Sequence, residues 1–274
     1  PLNPMPLKSK PKILITNDDG IHSAGLWALA DALSDLGQLT IAAPREQSSG
    51  SGRGLSPHAD GRIQNTTLRI NGRQRTGYAV GGSPSQTVSH AVLEIMPAPP
   101  DLVISGINYG ENLGNSITLS GTIGAAIEAA VLGIPALAVS LQMSQADLLH
   151  QTPAFDFSSA ASITADFARK VLAQSLPEEI QILKIDIPED ATPTTPWRIT
   201  RLGKHSYYET ISDRQGPLEE PYEFRWRCMD DPSKLDAASD IYTVMVDRMV
   251  SITPLTIDMT ARIDLSKYEN QLRD

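Results

Sequence analysis

The sequence predicts an α/β protein in which a mostly parallel β-sheet is flanked by helices. The first observation is a short apolar run at residues 12–16, which is typical of a buried strand. The second is a helical pattern over residues 24–36, with apolar residues on one stripe and Gly37 as a stop signal. The third is that strand, loop and helix patterns alternate further along the chain, which favours parallel strands joined by crossover helices.

The next segments continue this alternation with one insertion. Residues 39–43 form a second predicted strand, and residues 45–54 form a loop rich in glycine and serine. Residues 62–80 are predicted to form a β-hairpin that turns at an Asn-Gly pair. A helix then begins after Ser83, because proline and a capping-box glutamine follow this serine.

Further strands and helices are predicted up to residue 187. They are a strand at 101–107, a glycine-rich loop, a helix at 123–132, a strand at 135–141, a helix at 158–175 and a strand at 180–187. We therefore assign residues 12–200 to one α/β catalytic domain.

The chain changes character beyond Pro188. Residues 205–240 are polar and irregular, with aromatic residues among charged ones. Such a segment suits either an oligomerisation arm that packs on a partner subunit or a loop folded over its own domain. Residues 242–246 and 250–253 are predicted as strands, followed by a C-terminal helix. We therefore assign residues 201–274 to a C-terminal extension with an arm and returning strands.

Composition restricts the partners and the compartment. The 274 residues are 41% hydrophobic and carry a net charge of −9, which argues against nucleic acid as a partner. The single cysteine, Cys228, fits a reducing cytoplasm. No apolar run reaches the roughly 18 residues of a membrane span, so we expect no membrane partner. Residues 1–11 lack an apolar signal core and are expected to be a disordered lead-in.

Two adjacent carboxylates, Asp18 and Asp19, follow the first predicted strand. Ligands bind at this edge of an open α/β sheet. Like charges side by side stay ionised most easily when a cation lies between them, which indicates a metal site. The alternative is a solvated turn with an Asx cap, which the Asn-Asp-Asp-Gly sequence also fits.

The glycine-rich loop before the third long helix is the second candidate region. Ser120 and Thr122 lie where this helix begins, with free N–H groups and the positive end of the helix dipole. This arrangement favours an anion site, although an ordinary helix cap would have the same sequence. The glycine spacing matches neither the dinucleotide fingerprint nor a Walker loop.

Three motifs together resemble the survival protein SurE nucleotidase family. They are Ile-Leu-Ile-Thr-Asn-Asp-Asp-Gly at residues 13–20, the Ser-Gly-Ile-Asn and Ser-Gly-Thr segments within residues 102–122, and Ser-Ile-Thr-Pro-Leu at residues 251–255. The resemblance covers most of residues 12–142 and resumes near residues 240–260.

This resemblance implies a Rossmann-like α/β fold and a divalent-metal-dependent phosphatase acting on nucleoside 5′- and 3′-monophosphates. The family's metal ligands fall on Asp18, Asp19, Ser49 and Asn108. The resemblance also implies a homodimer or homotetramer. Residues 83–87 depart from the family pattern, which affects the expected substrate preference more than the expected activity.

The four implied ligands are oxygen donors, and these suit Mg²⁺ or Mn²⁺. Asp18 is the candidate to orient or deprotonate the attacking water. The candidates to hold the phosphate and its developing charge are Asn112, Ser120, Gly121 and Thr122. The alternative is a non-catalytic nucleotide-binding or scaffold protein with the same fold. An NAD-dependent oxidoreductase is disfavoured because the glycine fingerprint is absent.

Overall fold

The computed structural model describes residues 10–70, 73–143, 155–228 and 235–273. The expected lead-in lies almost wholly outside these residues, as does the turn of the predicted hairpin. The strands are β1 (Lys12–Thr16), β2 (Gln38–Pro44), β3 (Ile63–Ile70), β4 (Arg73–Val80), β5 (Leu102–Tyr109), β6 (Ala136–Leu141), β7 (Ile182–Ile187), β8 (Trp197–Ile199), β9 (Tyr208–Ile211), β10 (Arg225–Cys228) and β11 (Val250–Leu255). Nine of them form one sheet in the order β3-β4-β2-β1-β5-β6-β7-β11-β8.

Helices cover both faces of this sheet. They are α1 (Ala24–Ala32), α2 (Pro84–His90), α3 (Gly121–Val131), α4 (Ser158–Ala173), α5 (Asp240–Met245) and α6 (Leu265–Arg273). Side chains alternate along a strand, so Ile13 and Ile15 of β1 pack in the core beneath α1 and α4, while Leu14 packs in the core beneath α2 and α3. The predicted α/β class, with a mostly parallel sheet flanked by helices, is confirmed.

The centre of the sheet determines where a ligand can bind. Strands β2, β1, β5, β6 and β7 are parallel neighbours. Their carboxyl ends therefore lie at one edge, and the loops that follow β1, β2 and β5 are adjacent in space. The two predicted candidate regions and the glycine- and serine-rich loop meet at this edge.

The outer strands make the sheet mixed. β3 and β4 form an antiparallel hairpin, and β4 continues the sheet by pairing with β2 in parallel. On the other side β11 pairs antiparallel with β7 and parallel with β8. The C-terminal extension thus supplies a strand to the main sheet.

The prediction of a strand at residues 242–246 is wrong, because these residues lie mainly in helix α5. The hydroxyl of Ser239 accepts a hydrogen bond from the Tyr242 N–H at 3.1 Å and caps this helix. Ile241 and Val244, three residues apart, are both buried on one helical face. A short apolar run fits either periodicity, and here the cap determines which one forms.

The segment predicted as an arm has two parts with different surroundings. At its base Tyr207 is buried against Leu113 and helix α5. Further along, β9 and β10 form a separate two-stranded sheet, and the apolar side chains of Leu218, Phe224 and Trp226 are exposed. Helix α6 has no buried residue. None of the helices in the described part of the chain is long and apolar enough to cross a membrane.

Candidate active site

The loop after β1 presents two carboxylates at the carboxyl edge of the sheet. Asn17 forms an Asx turn, in which its carboxamide exchanges hydrogen bonds with the backbone of Gly20 at 3.2 Å. Gly20 has a φ of +94°, which favours glycine. The Asx turn expected as an alternative to a metal site therefore forms, but the cap uses Asn17 and leaves the carboxylates of Asp18 and Asp19 available.

Asp18 lies beside residues of two later elements, strand β5 and helix α3. The Thr122 hydroxyl donates to Asp18 Oδ1 at 2.5 Å, and the same hydroxyl lies 3.2 Å from Asn108 Oδ1. Asn108 is oriented by its own amide, which donates to the carbonyl oxygen of Gly110 at 2.8 Å. A carboxylate, a hydroxyl and an amide oxygen thus converge from three elements that are distant in sequence.

Asp19 faces the end of β5, where the Tyr109 N–H donates to Asp19 Oδ2 at 3.3 Å. Burial raises the pKa of Asp18, although hydrogen bonds from Thr122 and from the Gly121 N–H oppose this rise. Burial and the neighbouring negative charge of Asp18 raise the pKa of Asp19 well above its usual range. Hydrogen bonds therefore compensate the negative charge of this pair only in part.

A cation would supply that compensation. None of the salt bridges among the described residues includes Asp18 or Asp19. The described residues also contain no group of three or more His, Cys, Asp or Glu side chains that could hold a metal ion by themselves. Two carboxylates with amide and hydroxyl oxygens fit a hard divalent cation that keeps several waters, and do not fit zinc.

The N-terminus of α3 closes the other side of this group. The Ser120 hydroxyl accepts from the Ile123 N–H at 3.2 Å, so its side chain caps its own helix. A side-chain carbon on Gly121 would lie 2.8 Å from Asp18 Oδ2, so only glycine fits there. Of the predicted phosphate-holding residues, Gly121 and Thr122 lie directly beside Asp18.

Two serines of the loop after β2 differ in their placement. The side chain of Ser49, the predicted ligand, is exposed, and its hydroxyl accepts from Gln47 Nε2 at 3.0 Å. The Ser51 hydroxyl is buried, has no hydrogen-bond partner among the described residues, and lies 2.7 Å from where a side-chain carbon on Gly121 would be. Ser51, which the sequence did not single out, is therefore the loop serine beside Asp18.

Close backbone packing holds Ser51 in place. The N–H of Gly52 donates to the carbonyl oxygen of Leu119 at 3.0 Å. A side-chain carbon on Gly124 would lie only 2.0 Å from the Gly52 oxygen. A glycine in the loop facing a glycine in the first turn of α3 is the sequence signal that could have identified Ser51.

Asn112, another predicted phosphate-holding residue, lies in the loop after β5. Its side-chain amide donates to Ser140 Oγ at 2.8 Å, and Ser140 of β6 is the register partner of Asn108. Neighbouring strands are about 4.8 Å apart, so Asn112 belongs to the same edge of the sheet as Asn108.

The comparison with protein families now bears on this geometry. The model of the family described as survival protein SurE matches residues 13–209, which include every residue of this carboxylate site. The chain belongs to the SurE family. The predicted resemblance is confirmed, and it extends through residues 143–209, where the sequence motifs are weak.

Relatives within the SurE family match nearly the whole chain. A Methanosarcina mazei protein named 5′-nucleotidase SurE is 41% identical over 272 residues, covering 96% of this chain and 98% of that protein. A Thermococcus gammatolerans protein of the same name is 41% identical over 261 residues, covering 95% and 96%. The crystal structure of the SurE protein from Aquifex aeolicus matches with a TM-score of 0.75 at 29% identity, covering 96% of this chain and all of that one.

Behind the SurE site lies a second charged group that the sequence analysis missed. Lys184 of β7 is fully buried and pairs with Asp186, and its Nζ lies 2.9 Å from Asp240 Oδ2. The same Nζ donates to the Asn112 carbonyl oxygen at 2.9 Å, and Asp186 Oδ1 accepts from the Asn112 N–H at 2.8 Å. This lysine cluster (Lys184, Asp186 and Asp240) thus fixes the backbone of Asn112.

Proposed function

We propose that this protein is a divalent-metal-dependent phosphatase that hydrolyses nucleoside 5′- and 3′-monophosphates to nucleoside and phosphate. The observation that carries the proposal is geometric: the adjacent carboxylates of Asp18, which is buried, and Asp19, which is partly buried, lie with the Thr122 hydroxyl and the Asn108 amide oxygen at the carboxyl edge of the sheet. The relatives named 5′-nucleotidase SurE support the substrate class. The 3′ activity rests on the family resemblance.

Asp18, Asp19 and Asn108 would hold the cation, together with a hydroxyl from the loop after β2, for which Ser49 was predicted. When bound, Mg²⁺ or Mn²⁺ would polarise the phosphoryl group and lower the pKa of a water. The carboxylates and the amide oxygen fit this role because Asp18 and Asp19 directly follow β1 and Asn108 lies near the end of β5, the strand that pairs with β1.

The chain's own residues would orient the reactants. In the proposed reaction, Asp18 positions the attacking water and accepts its proton. The Asn112 amide and the start of α3 bind the phosphoryl oxygens in the proposed site. Gly121 and Thr122 donate to Asp18 in the absence of a cation, and they would exchange these hydrogen bonds for the phosphate once a cation holds that carboxylate. Ser120 acts in the proposed site through its helix cap. We infer direct attack by water in a single displacement, because two adjacent carboxylates suit one cation better than a nucleophile with a separate acid.

The test is phosphate release from a panel of 5′- and 3′-nucleoside monophosphates with Mg²⁺, Mn²⁺ or chelator. We expect release only with metal, and inversion at phosphorus when a chirally labelled ester is used. Nucleotide binding without phosphate release under all these conditions would replace the proposal with the non-catalytic binding protein. Retention at phosphorus would contradict direct attack but leave the phosphatase assignment intact.

We also propose a cytoplasmic homodimer or homotetramer. The assembly is supported by the exposed apolar side chains of Leu218, Phe224 and Trp226. It is also supported by helix α6, none of whose residues is buried in its own subunit. Light scattering on the full chain and on a variant lacking residues 212–224 tests the assembly. An unchanged mass in the variant would remove this segment from the interface.

A further inference from the structure

A cleft adjoins the carboxylate site on the side of the loop after β2. It has a volume of about 280 Å³, and we call it the serine cleft because its polar lining includes Arg45, Ser48, Ser51, Ser56, His58 and Ser83. The acidic residue Glu46 also lines it. This volume is near the lower limit of the ~300–1,000 Å³ of small-molecule sites. It is therefore large enough for part of a small substrate.

The serine cleft is continuous with the site. Ser51 lines the cleft, while its buried hydroxyl lies beside Gly121 and Asp18. Ser48, another lining residue, donates its backbone N–H to the Asp18 carbonyl oxygen at 2.7 Å. A molecule whose phosphate lies at Asp18 would thus have the cleft directly beside it.

The walls of the cleft are held together by specific contacts. The Gln86 side chain accepts from the Ser83 N–H at 2.9 Å and from the Ser56 N–H at 3.2 Å, which ties the loop carrying Ser56 to the start of α2. Arg45 is fixed by Asp60 at 3.3 Å. These contacts preorganise the cleft, and preorganisation favours ligand binding.

Two larger cavities do not meet these conditions. The first, of about 480 Å³, is lined by residues such as Asp101 and Gln181 at the amino ends of the strands, opposite the carboxylates. The second, of about 450 Å³, is lined by Phe167 and Trp197 beside α4. Neither is lined by a residue that contacts Asp18 or Asp19.

We propose that the serine cleft binds the nucleoside portion of the substrate. Its serine hydroxyls, His58 and Arg45 offer donors and acceptors to ribose hydroxyls and to the edge of a base. The proposal rests on the proposed nucleotidase function. It assigns discrimination between nucleotides to this cleft, and phosphate binding to the N-terminus of α3.

The test fills or trims the cleft without touching the carboxylates. Ala59 also lines the cleft, so Ala59→Trp should fill it, and His58→Ala should remove one polar group. The matched control is Ala261→Trp at an exposed position. The probes are AMP as substrate, with adenosine and inorganic phosphate as separate inhibitors, each representing one part of the substrate.

For Ala59→Trp we expect kcat/KM for AMP to fall about tenfold or more and the inhibition constant of adenosine to rise comparably. The inhibition constant of phosphate should stay within about twofold, which also reports that the site is folded. His58→Ala should shift the same two quantities by a smaller factor, and Ala261→Trp should shift none.

The proposal would be overturned if Ala59→Trp weakened inhibition by adenosine and by phosphate to the same extent. It would also be overturned if kcat/KM for AMP and the inhibition constant of adenosine were unchanged in both cleft variants. If the wild-type chain releases no phosphate from any nucleotide, the proposed function fails separately. AMP binding by calorimetry then decides the cleft. Binding that Ala59→Trp weakens supports it, and binding that the variant leaves unchanged, or no binding to the wild type, removes it.

Discussion

Two pairs of aspartates among the described residues lie at the carboxyl edge of this sheet, and their charges are compensated in opposite ways. Asp186 and Asp240 share the ammonium group of Lys184. Asp18 and Asp19 have no cationic partner among the described residues. Only hydrogen bonds stabilise their negative charges. Asp18, Asp186 and Asp240 are buried and Asp19 is partly buried, so each pair should require a positive charge to remain ionised.

The difference distinguishes a structural cluster from a functional one. In the lysine cluster the carboxylate oxygens are already used, because Asp240 also accepts from the N–H groups of Gly114 and Gly203 at 3.0 and 2.8 Å. No ligand can enter without breaking these bonds. At Asp18 and Asp19 the missing charge can be supplied from outside, so this pair is the one suited to a cation.

Metal removal should have the largest effect. Chelation should lower phosphate release by a factor on the order of a thousand or more, equal to at least about 4 kcal/mol of transition-state stabilisation. Mg²⁺ should also raise the thermal midpoint of the wild-type chain, because a ligand of the folded state stabilises it, and should not do so in Asp19→Asn. Full activity at verified near-zero metal content would show that Asp18 and Asp19 do not require an external cation, and would contradict the proposed difference between the two aspartate pairs.

Removing the ammonium group of Lys184 should lower the free energy of unfolding, and not only the catalytic activity. Lys184→Met leaves Asp186 and Asp240 buried without a counter-charge, which costs about 3–5 kcal/mol of unfolding free energy in comparable cases. Urea unfolding measures this loss, and Lys10→Met at an exposed position before β1 is the control. Adding Asp186→Asn to Lys184→Met should restore part of the loss. A Lys184→Met variant as stable as the wild type would show that the cluster is not compensated by its lysine.

The pH dependence of stability reports on the same cluster. Burial raises the pKa of Asp186 to about 6, although Lys184 opposes the rise. The folded state therefore holds a proton that the unfolded state has released between about pH 4 and pH 6. Over this window the contribution of Asp186 to stability, about 3 kcal/mol, is present at the acidic end and lost as pH rises.

The variant Asp186→Asn should lack this decline. Unfolding free energies at several pH values between 4 and 7, taken as the difference between wild type and variant, isolate Asp186 because Asp18 and Asp19 are common to both. A difference curve that is flat across the window would mean that Asp186 has an ordinary pKa in the folded protein.

Loss of one proposed cation ligand should be less severe than loss of the cation. Asn108→Ala and Asp19→Asn should each lower kcat/KM by a factor on the order of a hundred, or about 2.7 kcal/mol. Asp35→Asn, at an exposed position after α1, serves as the control for carboxylate loss. Tighter metal binding or unchanged turnover in Asn108→Ala would place the cation elsewhere.

The sequence predicted the carboxylate pair better than it predicted the lysine cluster, and the reason is physical. The motif around Asp18 and the start of α3 are local signals, formed by a strand end and a helix cap that adjacent residues determine. Lys184 lies in an apolar strand, where its only sequence neighbour in the cluster is Asp186. Its other partners lie 72 residues before it at Asn112 and in the C-terminal extension at Asp240, contacts that only the tertiary fold creates.

The choice between Ser49 and Ser51 is the finest distinction, and it too depends on tertiary packing. Both serines follow β2 in one loop rich in glycine and serine, and each precedes a glycine. The family resemblance places the metal ligand at Ser49, which precedes a glycine as Ser48 does not, and it does not consider Ser51. The structure places the Ser51 hydroxyl beside Asp18 and Gly121, buried and without a partner in the described chain, while the Ser49 hydroxyl is exposed and bonded to Gln47. A hydroxyl without a partner is available to bind a phosphate oxygen or a water in the coordination shell of a cation.

We therefore expect Ser51→Ala to lower kcat/KM about tenfold, or about 1.4 kcal/mol, since one neutral hydrogen bond is lost. Ser51→Thr should retain more activity than Ser51→Ala, because the hydroxyl remains. Ser49→Ala is the matched control, with an expected effect of less than about threefold because the Ser49 hydroxyl is exposed and bonded to Gln47. The opposite result, a silent Ser51→Ala and an impaired Ser49→Ala, would mean that the loop moves to bring Ser49 to Asp18 when cation and substrate bind. The two aspartate pairs would then also differ in that the loop after β2 closes over Asp18 and Asp19 but not over Asp186 and Asp240.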